Sequence, residues 1–203
     1  MLDGPVGKEL TEKSLARASW CSRSGTTASA RSRTTCARSS SRGLKIRTPA
    51  DSVTVDIMTA LGATVQQLKF TKVHGALGAG VMDGQENPIP TIESAKLYEV
   101  QKFMSLTGHK YESTPVVMMA ANLQKLPEAD RKAVMDAARE SLTVQRKLTN
   151  EADDKALGAL KAKGMTIDKV DTAAFTKATA GVTDKWAASE IGPFVKQVVA
   201  ASK

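Results

Sequence analysis

Two polar side chains with the chemistry to bind an anion stand beside prolines in this chain. Arg47 follows a short alternating segment and precedes Thr48-Pro49, and Asn87 directly precedes Pro88. Arginine presents a planar fork of N–H groups suited to a carboxylate, and a nearby amide adds a further hydrogen bond. Ligands of α/β sheets are held where strands give way to loops, which is where we expect both residues. The pair suggests a carboxylate site, although a lone arginine more often forms a surface salt bridge.

Acid–base chemistry has weaker support. Asp83, Glu86 and Glu93 could act as paired carboxylates, but Asp83-Gly84 is typical of a turn, and Glu93 lies on a predicted helix face. His74 and His109 stand in no HxxxH or HExxH spacing and are interpreted as ordinary surface or interface residues. No nucleotide-binding or nucleophile motif is present in the sequence. We therefore expect no enzymatic activity, no cofactor and no metal.

The net charge of +8 is concentrated in one tract. Residues 17–42 contain arginine at six positions and no acidic residue, so the rest of the chain is nearly balanced: Arg17, Arg23, Arg31, Arg33, Arg38 and Arg42. A basic tail of this kind gives the alternative interpretation, an Arg/Ser-rich nucleic-acid-binding protein whose affinity falls steeply with salt. Because the basic charge is not on a folded domain, no nucleic-acid partner is expected.

The same tract holds both cysteines and few apolar residues. Cys21 and Cys36 have no CxxC spacing, so neither a zinc site nor a disulfide framework is supported. Such a composition buries too little apolar surface to offset the entropy of ordering, which predicts disorder over residues 17–42. The sequence also has no run of about 18 apolar residues that would span a membrane.

Alternating strands and helices are predicted after Gly43. Residues 43–48 and 64–70 read as strands around a helix at 51–61, and residues 81–88 read as a tight connection. Two further strands are predicted, at 111–120 and 165–168. The further predicted helices are two short ones, beginning at 71 and at 90–96, a long one at 127–164, and two at 172–189 and 191–201. This order predicts an α/β lobe. A helix as long as 127–164 often connects two lobes.

Four segments of this region resemble the DctP family, the extracytoplasmic solute receptors of TRAP (tripartite ATP-independent periplasmic) transporters. They are GLKIRTP, ALGATVQQLKF, ALGAGVMDGQENPIPTI and KLYEVQKFMSLTGH, in family order from Gly43 to His109. The resemblance implies an α/β, periplasmic-binding-protein-like two-lobed fold. The fold is incomplete here. The parts expected in this chain are the second lobe, the long linking helix and the C-terminal helices. The implied divisions are a first-lobe remnant (1–16), the basic tract (17–42), the second lobe (43–112) and the inter-lobe strand and helices (113–203).

The resemblance also implies a function and a site. A small carboxylate-containing molecule would bind to Arg47, assisted by Asn87 and by the ring of Phe70, and the TRAP membrane subunits would be the partners. Supporting positions lie within the same DGQENP motif, at Asp83, Gln85 and Glu86. Lys72 replaces a family glutamate near the cleft, which changes the local charge and bears on substrate preference.

A reading-frame shift would explain the basic tract. Joining the third base of each codon to the first two of the next, from Ala18 to Ala30, permits the peptide LVVLAFWDNGFR, which resembles a family strand and its loop. The arginine ending this hidden peptide resembles a second ligand-contacting residue. The family's signal peptide and first half-lobe are also expected before MLDGPVGKEL, which itself lacks a signal pattern. We therefore expect a cytoplasmic, truncated product with weak or no organic-acid binding, although the parent family is periplasmic.

Overall fold

The computed structural model describes residues 17–24, 26–29 and 41–201. The expected first-lobe remnant (1–16) and the remainder of the basic tract lie outside these ranges. The strands are β1 (Arg17–Ser24), β2 (Thr26–Ser29), β3 (Lys45–Thr48), β4 (Thr64–Gln67), β5 (Gly84–Asn87), β6 (Phe103–Leu106), β7 (Lys110–Val117) and β8 (Thr166–Lys169). The helices are α1 (Ser52–Ala60), α2 (Val73–Gly78), α3 (Ile89–Ser94), α4 (Ala120–Gln124), α5 (Glu128–Ala162), α6 (Thr172–Ala187) and α7 (Gly192–Ala201). The prediction of a mixed α/β chain is confirmed.

The chain divides into two compact units. The first contains the described parts of residues 1–22, 112–151 and 186–203, and the second contains residues 23–111 and 152–185. The second unit thus includes β8 and α6 in addition to most of the lobe expected at 43–112. The reason is long-range pairing, because β8 lies parallel to β6, with Met104 opposite Ile167.

A six-stranded sheet in the order β4-β3-β5-β2-β6-β8 forms the centre of the second unit. Strands β4, β3 and β5 are parallel, β6 and β8 are parallel, and β2 runs antiparallel to both of its neighbours. The carboxyl ends of β3, β4 and β5 therefore meet at one edge. This is the edge where ligands of α/β sheets bind.

Each face of the sheet carries its own apolar core. On one face Ile46 packs with Met58 of α1 and Phe175 of α6. On the other, Met104 packs with Leu77 of α2 and with the remaining members of that cluster: Val73, Met82, Ile92, Leu97, Leu160 and Met165. Successive strand residues point to opposite faces. The two residues next to Ile46 in β3, Lys45 and Arg47, therefore point away from the α1 side.

Helix α1 is positioned by local signals that the sequence displays. The carboxylate of Asp51 caps the helix by accepting from the backbone N–H groups of Val53 and Thr54, as expected of an aspartate at this position. The helix ends at Ala60, and Gly62 adopts a φ of 84°, a left-handed conformation that glycine tolerates best. This turn leads the chain into β4, beside β3.

The structure corrects two sequence predictions in this unit. Residues 17–24 and 26–29, predicted to be disordered, form β1 and β2. Residues 84–87, predicted to lie in a tight connection, form β5. Both segments have few apolar residues, but a strand between two others receives backbone hydrogen bonds on both edges, and these do not depend on apolar side chains. The inserted strands β2 and β5 satisfy that condition.

In the first unit, β1 pairs with β7 as a two-stranded sheet. Helix α5 is 35 residues long, and its residues are divided between the two units. The end of β7 and the residues that follow it expose apolar side chains, with Val117 64% and Met119 71% accessible. None of the helices described is long and apolar enough to cross a lipid bilayer.

Candidate functional site

The side chain of Arg47 is buried at the carboxyl end of β3. Only 4% of the residue is exposed, and both Nε and Nη2 donate to the carbonyl oxygen of Leu68, at 2.9 and 2.7 Å. The backbone N–H of Leu68 in turn donates to the carbonyl oxygen of Thr48 at 3.4 Å. These bonds hold the guanidinium and the loop after β4 in one arrangement. The second terminal nitrogen, Nη1, makes no hydrogen bond to any described residue.

Burial sets the electrostatic character of Arg47. Removal from water lowers the pKa of the guanidinium from its usual range, and the negative charge of Glu86 acts in the opposite direction. A guanidinium nevertheless stays protonated at any physiological pH. The result is a fixed, partly desolvated positive charge at a strand end, which favours a bound anion more strongly than a charge in open water would.

Phe70 lies next to this charge. It opens the short 3-10 helix Phe70–Lys72 that follows β4, and the centre of its ring is 6.0 Å from the Arg47 Cζ atom. The ring is 45% exposed, so one surface is available for contact with a ligand. At 6 Å the ring faces the cation at the outer limit of a cation–π contact. Lys72, in the same turn, is exposed as well.

Asn87 ends the neighbouring strand β5. Its Nδ2 donates to Oε1 of Gln85, whose Nε2 donates to Oε1 of Gln101 at 3.3 Å. Arg47 is in register with Gln85. Because side chains two apart in a strand share a face, Arg47, Gln85 and Asn87 all lie on the face that carries Met104. The structure therefore brings the two predicted donors to the same edge and face of the sheet.

Glu86 points to the opposite face and lies in a buried ionic cluster. Its Oε2 atom is 3.4 Å from Nε2 of His109 and 3.2 Å from Nζ of Lys110, and both the Glu86 and His109 side chains are at least 98% buried. The 3.4 Å separation is long for a hydrogen bond. His109 was interpreted as a surface or interface residue, and the structure shows that this is wrong. A histidine after an unrecognised strand, β6, gave no sequence signal of burial.

The cluster extends to α1 through two more contacts. Lys110 Nζ donates to Oγ1 of Thr54 at 3.2 Å, and that hydroxyl donates to the Asp51 carboxylate. On the other side, His109 Nδ1 lies 2.7 Å from Oγ1 of Thr107. These contacts connect β5, the β6–β7 connection, the first residue of β7 and the start of α1. They hold in place the strand whose end carries Asn87.

The pKa of the Glu86 carboxyl is lowered. Burial alone would raise it, but the interactions with His109 and Lys110 together outweigh burial. A carboxyl whose pKa is lower in the folded state than in the unfolded state stabilises the fold above the unfolded value, about 4.3. That contribution is lost as the pH falls through the folded pKa.

Glu86→Gln is expected to lower the free energy of unfolding at pH 7 by roughly 3 kcal/mol, because it removes the carboxylate that Lys110 faces in the interior. The difference from the unmodified protein should shrink as the pH falls below the unfolded pKa, about 4.3, and through the lowered pKa of folded Glu86. Urea denaturation followed by circular dichroism at several pH values measures it. Glu99→Gln, at the exposed pair with His74, is the control and should change stability by no more than about 0.5 kcal/mol. A difference independent of pH would contradict the prediction.

Asp83 stands apart from the other members of its motif. Its Oδ2 accepts from the backbone N–H of Lys45 at 3.0 Å, and its own N–H donates to the carbonyl oxygen of Lys45 at 2.9 Å. Both bonds lie at the amino ends of β3 and β5, away from the edge where Arg47 and Asn87 lie. Gln101 and Lys110, in contrast, were not identified from the sequence.

The chain is similar to one family over most of its length. Residues 19–190 match the family model described as DctP, bacterial extracellular solute-binding protein, family 7. An uncharacterised protein of Sinorhizobium fredii, y4mM, is 41% identical over 91% of this chain and 35% of its own length. The chain spans between about a third and just over half of the length of each of the first curated relatives that it matches.

Solved structures of the same type share the fold. A TRAP periplasmic solute binding protein from Polaromonas sp. JS666, bound to D-erythronate, is 32% identical with a TM-score of 0.83, covering 97% of this chain and 67% of that one. Another from Chromohalobacter salexigens, with bound D-glucuronate, is 26% identical with a TM-score of 0.87, covering 97% and 68%. The predicted resemblance and the predicted incomplete two-lobed α/β fold are confirmed.

Proposed function

Because the chain belongs to family 7 of the bacterial extracellular solute-binding proteins, the DctP family, we propose that it binds a small organic acid through the carboxylate, with the weak affinity expected from its sequence. In this proposal the site is the edge of the sheet in the second unit, and the recipient of the ligand is the membrane part of a TRAP transporter. Binding, not covalent chemistry, is the activity. The compartment is the periplasm, where the family works.

The observation that carries the proposal is the state of Arg47. Two of its nitrogens are committed to the Leu68 carbonyl oxygen, which fixes the plane of the guanidinium before any ligand arrives. The uncommitted Nη1 supplies the N–H groups for a carboxylate oxygen. A donor that is already oriented loses little conformational freedom on binding, so more of the interaction energy appears as affinity.

Asn87 and Phe70 complete the proposed wall. The Asn87 amide has a second N–H that is not used by Gln85, and its position at the end of β5 places it one strand from Arg47. The half-exposed ring of Phe70 offers apolar surface for the carbon skeleton of the acid. Carboxylates are the ligands named for the two solved relatives, which supports the choice of ligand class.

The proposed function is tested with matched ligands. Ligand-observed NMR is carried out on the full chain with D-glucuronate, D-erythronate and succinate, and with D-glucose as the counterpart of glucuronate that lacks the carboxylate. At least one acid is expected to bind while glucose does not. Equal binding of glucose and glucuronate, or no binding of any acid, would refute the proposal. A labelled oligonucleotide in the same series tests the nucleic-acid alternative, which predicts binding that weakens steeply with salt.

A further inference from the structure

Two glutamine side chains lie fully buried beneath the proposed site. Gln85, in the middle of β5, and Gln101, just before β6, both have an exposed fraction of 0%. Burying an amide is unfavourable unless its polar atoms are hydrogen-bonded. Here the two amides bond to each other, with Gln85 Nε2 donating to Gln101 Oε1 at 3.3 Å. An apolar residue would fill either position without this requirement, so the amides call for an explanation.

The explanation lies in the direction of the hydrogen bonds. Gln85 uses its N–H on Gln101, and this turns its Oε1 atom towards Asn87, from which it accepts. If the Gln85 amide were reversed, its nitrogen would face the Asn87 nitrogen, and two donors would oppose each other. The acceptor on Gln101 therefore selects one orientation of Gln85, and Gln85 selects one orientation of Asn87.

The consequence reaches the edge of the sheet. With one Nδ2 hydrogen committed to Gln85, Asn87 is held with its other N–H and its Oδ1 atom available. Gln85 is in register with Arg47 on the adjacent strand, so the same buried amide stands beside both donors. An asparagine at a strand end would otherwise rotate freely between two amide orientations, and one of these presents oxygen where a carboxylate needs a donor.

We propose that Gln101 and Gln85 are positioning residues that orient the Asn87 amide as a hydrogen-bond donor for the ligand. The orientation itself is a property of the unliganded chain. Only its effect on affinity rests on the proposed function. Gln101 does not contact the ligand. The acceptor oxygen of its side chain orients Gln85, and Gln85 orients Asn87.

The first test needs no ligand. Side-chain amide signals are observed by NMR in protein labelled with ¹⁵N at asparagine and glutamine, and the hydrogen exchange of Asn87 is compared with that of exposed Asn150. Slower exchange at Asn87 is expected in the unmodified chain. Gln101→Met removes the acceptor and should make Asn87 exchange like Asn150, whereas Gln101→Glu keeps an acceptor oxygen and should retain the protection. Gln124→Met, at an exposed position of α4, is the matched control.

The second test measures affinity. Gln101→Met is expected to weaken binding of the best acid by about tenfold, the effect of misplacing one hydrogen bond to a charged group. In an Asn87→Ala background the same substitution should have no further effect, because the residue it positions is gone. A purely structural role would instead weaken binding equally in both backgrounds.

The outcomes separate the two proposals. Unprotected Asn87 in the unmodified chain, or unchanged Asn87 signals in Gln101→Met, overturns the positioning role whether or not an acid binds. Protected Asn87 that loses its protection in Gln101→Met supports the role even if no acid binds, in which case the proposed function alone fails. If Gln101→Met does not fold, Gln101→Leu takes its place, and unprotected Asn87 in the unmodified chain still overturns the positioning role.

Discussion

Arg47→Met is expected to weaken binding of an organic acid by about 30-fold or more, corresponding to the roughly 2–5 kcal/mol lost when one member of a buried charge pair is removed. The carboxylate of the ligand would enter a site without its positive charge, and the affinity would fall mainly through faster dissociation. Calorimetry or ligand-observed NMR with the best acid of the panel measures the change. Arg139→Met, at an exposed arginine of α5, is the control and should leave binding unchanged.

The fold should survive the same substitution. Replacement of a desolvated charge by the apolar methionine side chain has, by itself, a neutral or stabilising effect on the folded state. It also leaves the Leu68 carbonyl oxygen without its two N–H donors, at a cost of about 1–3 kcal/mol. These effects oppose each other, so we expect the free energy of unfolding to change by no more than about 2 kcal/mol. Urea denaturation measures this change and separates lost binding from lost structure.

Arg47→Lys separates the effect of the positive charge from the effect of the fixed guanidinium geometry. Lysine keeps the charge but cannot donate two parallel N–H groups to Leu68, so the ammonium is not held in one position. We expect most of the affinity lost in Arg47→Met to be lost here too. Full retention of affinity in Arg47→Lys would mean that charge alone, without the fixed fork, accounts for binding.

Replacing residues 18–29 by LVVLAFWDNGFR is expected to raise the thermal stability of the chain strongly. The peptide places seven consecutive apolar residues, LVVLAFW, at positions 18–24 of β1, the strand that pairs with β7. A fully buried Leu or Val side chain contributes about 1.5–3 kcal/mol, so even partial burial of four gives a gain of several kcal/mol. Differential scanning calorimetry measures the gain, and an unchanged or lower Tm would count against a frame shift as the origin of this tract.

The sequence by itself determined the family, the α/β alternation and the candidate donors. In GLKIRTP and DGQENP, Arg47 is two residues before Pro49 and Asn87 is directly before Pro88, and the structure has both within the last two residues of their strands. The long helix was predicted at 127–164 and lies at Glu128–Ala162. These features follow from local signals, namely alternation, proline positions and helical periodicity, which act within a few residues along the chain.

Only the tertiary structure decided which segments lie at the centre of the sheet and which polar groups are buried. Strand β5 was predicted to lie in a tight connection because Asp83-Gly84 is typical of a turn, yet pairing with β3 and β2 on its two edges makes residues 84–87 a strand. The burial of His109 and Gln101 depends on β6, which joins the sheet through pairing with β2 and β8. Contacts between residues distant in sequence leave no periodic signal. For this reason the positions of the two candidate donors near strand ends could be predicted, and the buried side chains that contact them could not.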